Sequence, residues 1–317
     1  MKAFVYNRVK GGMSMKLVSI LFQQITIMFI FMFIGVLLFK TKKLSMEGSK
    51  ALGNILIYAV MPAVVIKAFL NEMTTERLKG LGIAFGFSLA ALLLAMIVSQ
   101  FFFKKRPIEN FGASFSNAGF IGIPLVSALY GDEAVFYVSA FVALLNLLQW
   151  TYGVFVITKN KKAISLKKIF TNPILISLAV GLILFVCRIQ MPMIVSSSIQ
   201  GIASLNAPLA MFSLGTYLAQ VSWKEIVTNR YAYLSSIVRL LVIPLLTLGI
   251  LFFVPNTYQT MKMAILIVAS TPIGSNVAIF AQIHNQDYKQ AVRIVCLSTL
   301  CSILTLPMIM MLADIIW

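Results

Sequence analysis

The stretch SNAGFIGIPL, residues 116–125, interrupts a segment that is otherwise apolar enough to cross a membrane. It contains Asn117, Gly119, Gly122 and Pro124. Proline lacks the helical N–H donor and clashes with the carbonyl four residues earlier, here that of Phe120, while glycine permits non-helical backbone. Because unpaired backbone groups are costly in lipid, the opened backbone must face protein or a water-filled cavity. The stretch therefore predicts an interrupted helix inside a folded membrane protein.

The composition of the whole chain is that of a membrane protein. Of 317 residues, 60% are hydrophobic and 11% are charged, whereas soluble domains are about half apolar and a quarter charged. The net charge of +17 lies mostly in short clusters between apolar runs, a pattern that sets membrane topology and does not indicate nucleic-acid binding. The three cysteines lack CxxC spacing and there is a single histidine, so we expect no metal and no cofactor.

Apolar runs of about 20 residues, enough to span a bilayer core of about 30 Å, predict an all-α integral membrane protein with ten transmembrane helices. The ten runs are 17–39, 49–70, 80–103, 110–130, 134–157, 172–189, 196–219, 231–254, 261–283 and 291–313. Residues 1–16 precede the first run, and we expect them to form an N-terminal extension.

Basic residues predict the orientation of these runs. The connections after odd-numbered runs carry sixteen Lys and Arg residues, and the connections after even-numbered runs, with the adjoining helix ends, carry five. Because basic loops stay in the cytoplasm, the odd connections are expected inside and both termini outside. The sequence thus predicts a multi-pass protein of the cell membrane, either the inner or the plasma membrane.

The longest hydrophilic connection divides the chain into two halves. A cytoplasmic linker at 158–171 separates a first five-helix repeat, 17–157, from a second, 172–317. Since each half holds an odd number of runs, the second half must enter the membrane in the opposite orientation. Such an inverted repeat is typical of secondary transporters, which bind substrate near the bilayer midplane between the repeats.

Prolines recur at matching places in the two halves. Pro62 and Pro208 lie in runs two and seven, and Pro124 and Pro272 lie in runs four and nine, at offsets of 146 and 148 residues. Proline is frequent in membrane helices, so a chance match is the alternative. The agreement of charge, length and proline position favours a true repeat.

The ninth run, AILIVASTPIGSNVAIFAQ (264–282), repeats the residue types of the fourth, with Pro272, Gly274, Ser275 and Asn276. If two such helices cross at their breaks, the N-termini of their second halves point toward each other. Helix N-termini carry partial positive charge and free N–H donors, which suit an anion. The Asn side chains could bind that anion or bond to the opened backbone. A packed kink without a site is the alternative.

Together, SNAGFIGIPL and STPIGSNVAIFAQ (270–282) resemble the auxin efflux carrier family, which contains plant auxin exporters and bacterial permeases proposed for malate or malonate. GFIGIPL (119–125) is the most specific segment, and LGNILIYAVMPAVVI (52–66) is also similar. The resemblance implies that runs four and nine are crossover helices, as in bile-acid symporters and sodium/proton antiporters. It further implies a homodimer in which a transport domain, runs 3–5 and 8–10, moves against a scaffold, runs 1, 2, 6 and 7.

Three other polar residues in the runs are candidates for the site. Asn146 and Gln149 are three residues apart and share a helical face; they could line a site or bond neighbouring helices. Arg239 lies about eight residues into run eight, roughly 12 Å deep. It could attract a carboxylate or stabilise half-helix C-termini. The alternatives are a structural bond to backbone carbonyls and snorkelling to the interface. The predicted substrate-binding residues are Asn117, Gly119, Phe120, Gly122, Pro124, Asn146, Gln149, Arg239, Pro272, Gly274, Ser275 and Asn276.

These observations favour a secondary active or facilitative transporter of small organic anions, such as carboxylates. The central linker is short, unlike the long hydrophilic loop of many plant exporters, so a bacterial organic-anion permease is the closer likeness to this chain. Coupling to Na⁺ or H⁺ and uncoupled transport all stay open, although the lack of a mid-membrane carboxylate disfavours a central proton relay. A membrane ligand sensor or scaffold and an ion channel are the alternatives. An enzyme is not expected, because the sequence has neither HExxH nor GxSxG.

Overall fold

The computed structural model describes residues 12–317, with side chains from residue 19 onward, and every regular element in that range is helical. Helix α1 begins at Gly12. Residues 1–11 of the predicted N-terminal extension lie outside the described residues, and residues 12–16 belong to α1.

The described helices follow one another with short connections. They are α1 (Gly12–Lys40), α2 (Met46–Ala68), α3 (Thr75–Phe103), α4 (Pro107–Ser114), α5 (Ala118–Tyr130), α6 (Asp132–Thr158), α7 (Leu166–Phe170), α8 (Pro173–Val186), α9 (Met193–Ala219), α10 (Trp223–Val227), α11 (Arg230–Leu251), α12 (Gln259–Ser270), α13 (Asn276–Ile283) and α14 (Tyr288–Ile316).

Seven helices within the described residues are long and apolar enough to cross a membrane: α1, α2, α3, α6, α9, α11 and α14. Helices α5 and α8 are apolar but shorter. Each of the ten apolar runs contains one main helix, except that the fourth and ninth contain the interrupted pairs α4/α5 and α12/α13. The protein is therefore an all-helical, multi-pass membrane protein.

Three membrane helices contain a wide π-helical turn that ends two residues before a proline. The turns are Leu56–Val60 before Pro62, Ala118–Gly122 before Pro124, and Val238–Val242 before Pro244. In each, the N–H just before the proline reaches back five residues instead of four. The wider turn makes room for the proline ring, so the helix continues through it.

This local geometry corrects the predicted position of the first break. Pro124 lies near the start of the α-helical part of α5 and does not open the backbone, and Gly119 and Gly122 belong to the π-helical turn. The interruption lies instead at 115–117, before that turn. The proline clash is relieved by the turn itself.

Helices α1 and α9 pack backbone against backbone. A Cβ atom on Gly215 would lie 2.1 Å from the carbonyl oxygen of Met32, and one on Gly35 would lie 2.4 Å from that of Phe212. Small residues that let helix backbones approach are a principal means of association in membranes. These two glycines therefore set the distance between α1 and α9.

Helix α12 is the centre of the described fold. Every residue from Met261 to Ser270 is buried, and the helix packs against α3, α5, α6, α11 and α14. Even Lys262 is enclosed, with its ammonium 4.3 Å from the ring centroid of Trp317. A helix surrounded by protein in this way can end inside the membrane without exposing its last carbonyls to lipid.

We expect Gly215→Ala to destabilise the protein by about 1–3 kcal/mol, because the added methyl meets backbone that cannot rotate away. The measurement is the melting temperature of the purified protein in detergent. Gly201→Ala is the matched control in the same helix, since a Cβ atom there meets nothing within 4 Å. Equal melting temperatures for the two variants would contradict the close packing of α1 and α9.

Candidate functional site

The two interrupted helices meet at their breaks. The segments 115–117 and 271–275, which we call the junction, pair through an antiparallel bridge between Ser116 and Ile273. The Asn117 N–H donates to the Pro272 carbonyl at 2.8 Å, and the Gly274 N–H donates to the Phe115 carbonyl at 3.0 Å. Each break thus supplies the partners that the other needs, which removes the penalty for non-helical backbone in a membrane.

Side chains complete the hydrogen bonding of the second break. The N–H of Ile273 donates to Oγ of Ser298 on α14 at 3.1 Å, and Oγ1 of Thr271 donates to the carbonyl of Val268 at 2.9 Å. A Cβ atom on Gly274 would lie 3.0 Å from the carbonyl oxygen of Ser116. Glycine therefore fits there because the two backbones approach so closely.

Arg239 bonds to the C-terminal ends of the first halves, α4 and α12. Its guanidinium donates to the carbonyls of Ala113 at 3.1 Å and Ser114 at 3.5 Å, and also to the carbonyl of Ala269. The last carbonyls of a helix have no partner within the helix and carry partial negative charge. One side chain thus provides donors for both helix ends.

The N-terminal ends of the second halves, α5 and α13, line a cavity of about 360 Å³, which we call the junction cavity. Seven of the predicted site residues line it: Asn117, Gly119, Phe120, Asn146, Gly274, Ser275 and Asn276. The breaks therefore bring residues 157 positions apart along the chain, such as Asn117 and Gly274, to one wall.

The other five predicted site residues lie outside the lining of the junction cavity. Gly122 faces Val268, whose Cγ1 atom would lie 2.8 Å from a Cβ atom there. Gln149 is fully buried and its Oε1 accepts from Nδ2 of Asn276 at 2.8 Å, so it positions a lining residue. Pro124 lines a different cavity. Pro272 and Arg239 hold the junction by the bonds described above.

Polar side chains line the junction cavity from several helices. Nδ2 of Asn117 is buried and has no hydrogen-bond partner. Nδ2 of Asn146 bonds to the carbonyl of Val142 in its own helix at 2.8 Å. Among the described residues that line the cavity, Lys168 is the charged one, and no carboxylate is present.

Sequence reasoning missed Lys168 and its neighbours. Lys168 lies in the linker, where we interpreted it as a topology signal, but its ammonium lies 5.5 Å from the ring centroid of Trp150 at the cavity. Asn172 also lines the cavity and caps α8, accepting from the N–H of Ile174 at 2.9 Å. The Asn-Pro pair at 172–173 is typical of a helix start and could have identified Asn172 as the cap of α8.

A second cavity of about 350 Å³, the distal cavity, lies farther along α2 and α5. On α2, Met61 lines the junction cavity and Lys67 lines the distal cavity. The ammonium of Lys67 forms an ion pair with the carboxylate of Asp132 at 2.8 Å. Between the cavities, Nδ2 of Asn206 donates to the carbonyl of Gly119 at 3.0 Å. A Cβ atom on Gly119 would lie 2.8 Å from Cε of Met61, so this partition is tightly packed.

A multi-pass helical protein with two interrupted helices beside a cavity that both polar and apolar side chains line has the organisation of a membrane transporter. Comparison with known proteins agrees: the sequence model of a family described as membrane transport protein matches residues 20–310. The chain belongs to this family, the auxin efflux carrier family, and is a membrane transporter. An uncharacterized transporter of Methanocaldococcus jannaschii is 24% identical over 276 residues, which cover 83% of this chain and 89% of that protein.

Ser298→Ala removes the acceptor of the buried Ile273 N–H. We expect the variant to lose about 1–3 kcal/mol of stability, because the orphaned donor cannot reach water. The readout is the melting temperature in detergent. Ser302→Ala is the matched control on the same helix, since the buried Ser302 bonds to the carbonyl of Thr299 within α14. An effect of Ser298→Ala no larger than that of the control would show that the side chain does not support the junction.

Proposed function

We propose that the protein transports small organic anions, carboxylates in particular, and binds them in the junction cavity. The observation that carries this proposal is the meeting of two half-helix N-termini with an unpaired amide donor, Nδ2 of Asn117, at one wall. Helix N-termini offer backbone N–H groups and partial positive charge to an anion. Lys168 adds a full positive charge, and the described lining offers no carboxylate to repel the ligand.

The position of the junction cavity supports transport by alternating access. One side of the cavity belongs to the predicted scaffold, through Tyr58 and Met61 on α2 and Ile174 on α8. Other lining residues, including Asn117 and Asn276, belong to the predicted transport domain, which comprises α3–α6 and α11–α14. A substrate held on the transport domain would be carried past the scaffold when the two domains move relative to each other.

We propose that the distal cavity is the second opening that this mechanism needs. It lies between α2, α5 and α9, beyond the contact of Gly119 with Met61 and Asn206. In the arrangement described, the junction cavity is lined by the linker residue Lys168 and by Thr171, so we propose that it opens to the cytoplasm. The distal cavity then marks the route on the outer side.

We further propose ten transmembrane segments in two inverted repeats, with both termini outside and two copies of the chain forming a homodimer in the lipid bilayer of the cell membrane. Residues 1–16 are the N-terminal extension, 17–157 and 172–317 are the repeats, and 158–171 are the cytoplasmic linker. The paired interruptions α4/α5 and α12/α13, each in the fourth run of its half, support the repeat. The excess of basic residues in the odd connections supports the orientation.

This topology predicts opposite labelling of two cysteines in intact cells. Cys187 is exposed and lies at the C-terminal end of the sixth run, just after α8, so a membrane-impermeant maleimide should label it from outside. Lys161→Cys, placed in a Cys187→Ala background, should react only after the membrane is opened, because Lys161 is exposed in the linker. Labelling of the linker cysteine from outside would overturn the proposed orientation.

Uptake into proteoliposomes tests the substrate class. We expect the wild-type protein to take up members of a panel of mono- and dicarboxylates, measured with and without Na⁺ and pH gradients to identify a coupling ion. Asn117→Ala should lower uptake by about tenfold or more, since it removes an unpaired amide donor from a residue that lines the cavity. Asn256→Ala, at an exposed position remote from the cavity lining, is the control and should transport normally.

Other outcomes of this experiment assign other functions. Uptake of no carboxylate under any gradient would contradict the proposal. Saturable carboxylate binding without uptake would indicate a sensor, and a conductance across a planar bilayer would indicate a channel. Full uptake by a well-folded Asn117→Ala variant would place the substrate elsewhere.

A further inference from the structure

Arg239 is a buried cation whose charge is balanced by main-chain carbonyls. Its side chain is 1% exposed and lies in the π-helical turn Val238–Val242 of α11. Within the part of the chain that the structure describes, the ion pairs join other residues, and none includes Arg239. Burying a charge without an ion pair costs free energy. The partial negative charges of its three carbonyl partners must therefore stabilise the guanidinium.

Those carbonyls come from two helices far apart in the sequence. Ala113 and Ser114 end α4, and Ala269 lies one residue before the end of α12. Both helices therefore direct the negative ends of their dipoles at one guanidinium. Helix C-termini and unwound carbonyls at interrupted helices are also the groups that bind coupling cations in ion-driven transporters.

We propose that Arg239 is a positioning residue that acts as a tethered cation, filling the place between the ends of α4 and α12 that a diffusible coupling ion would otherwise take. The inference rests on the proposed transport function, and it specifies that no coupling ion binds between these two helix ends. Because this cation is covalently attached, it cannot enter and leave during a cycle. Transport therefore proceeds without Na⁺ bound at these helix ends, and α4 and α12 stay joined while the transport domain moves.

The geometry favours a guanidinium over a simple ammonium. The planar group places Nη1 against α4 and Nη2 against α12 at once, which is the fork geometry that Arg has and Lys lacks. Removing it leaves two sets of helix-end carbonyls facing each other without a cation. Such a site should accept a small free cation from solution if one is supplied.

The test compares Arg239→Ala, Arg239→Lys and Arg293→Ala. The last variant removes a peripheral guanidinium that bonds to Glu225 at 2.6 Å and serves as the matched control. The first measurement is the melting temperature in detergent with and without millimolar guanidinium or NaCl, at constant ionic strength. The second is carboxylate uptake in Na⁺ and in N-methylglucamine media.

We expect wild-type uptake to be equal in the two media. Arg239→Ala should lower uptake by about tenfold or more, because it deletes several charge-assisted bonds. Added guanidinium or Na⁺ should raise both its melting temperature and its uptake, and should leave the wild type and Arg293→Ala unchanged. The uptake and the melting temperature of Arg239→Lys should lie between those of the wild type and those of Arg239→Ala.

Several results would overturn the inference. These are wild-type uptake that requires Na⁺, full uptake by Arg239→Ala without an added cation, and a folded Arg239→Ala variant that responds to neither cation. If Arg239→Ala does not fold, Arg239→Lys tests the inference instead. A melting temperature and an uptake equal to those of the wild type would show that the contact of the guanidinium with both helices is dispensable. The melting-temperature response needs no substrate, so it separates failure of this inference from failure of the proposed transport function.

Discussion

The pairing of two short backbone segments inside the membrane is the interaction on which the described structure depends. Residues 115–117 and 271–275 have left their helices, and lipid offers no hydrogen-bond partner to backbone of this kind. They satisfy each other through the bridge at Ser116 and Ile273. The close approach at Gly274, the bond from Ile273 to Ser298 and the burial of α12 all follow from the need to hold that bridge in a protein interior.

The same breaks separate charge into two regions. The first halves, α4 and α12, end at Arg239, where their negative ends meet a fixed cation. The second halves, α5 and α13, begin at the junction cavity, where their positive ends face the proposed anion beside Lys168. An uninterrupted helix would hold these charges at the membrane surfaces, far from any site at its centre. Breaking both helices brings both kinds of charge to the middle of the protein.

Much of the fold could be predicted from the sequence because apolar run length and basic clusters act locally. Each run contains a helix or an interrupted pair of helices, and seven of the described helices are long and apolar enough to cross a membrane. The two interrupted runs were identified from Asn, Gly and Pro, and the family resemblance was confirmed. The predicted position of the first break was wrong, because a π-helical turn relieves the clash of Pro124, and the residues around a proline do not by themselves show whether such a turn forms.

The site could be predicted only in part, for a different reason. Asn117 and Asn276 lie next to the breaks that define the cavity, so local reasoning was enough to nominate them. For Arg239 the sequence left several roles open, because its carbonyl partners lie 126, 125 and 30 positions away. Lys168 and Trp150 reach the cavity through tertiary packing between the linker and α6, which a charge pattern along the chain does not encode.

The junction also constrains how the chain can be made. When the first half has been synthesised, the backbone at 115–117 has no partners, since those partners lie at 271–275 in the second half. The first half of the chain therefore lacks these hydrogen bonds until the second half has been made, and α12, which is buried from Met261 to Ser270, needs its neighbours from both halves. The two halves of the chain depend on each other for this pairing, and a chain truncated between them would keep the polar backbone at 115–117 unpaired.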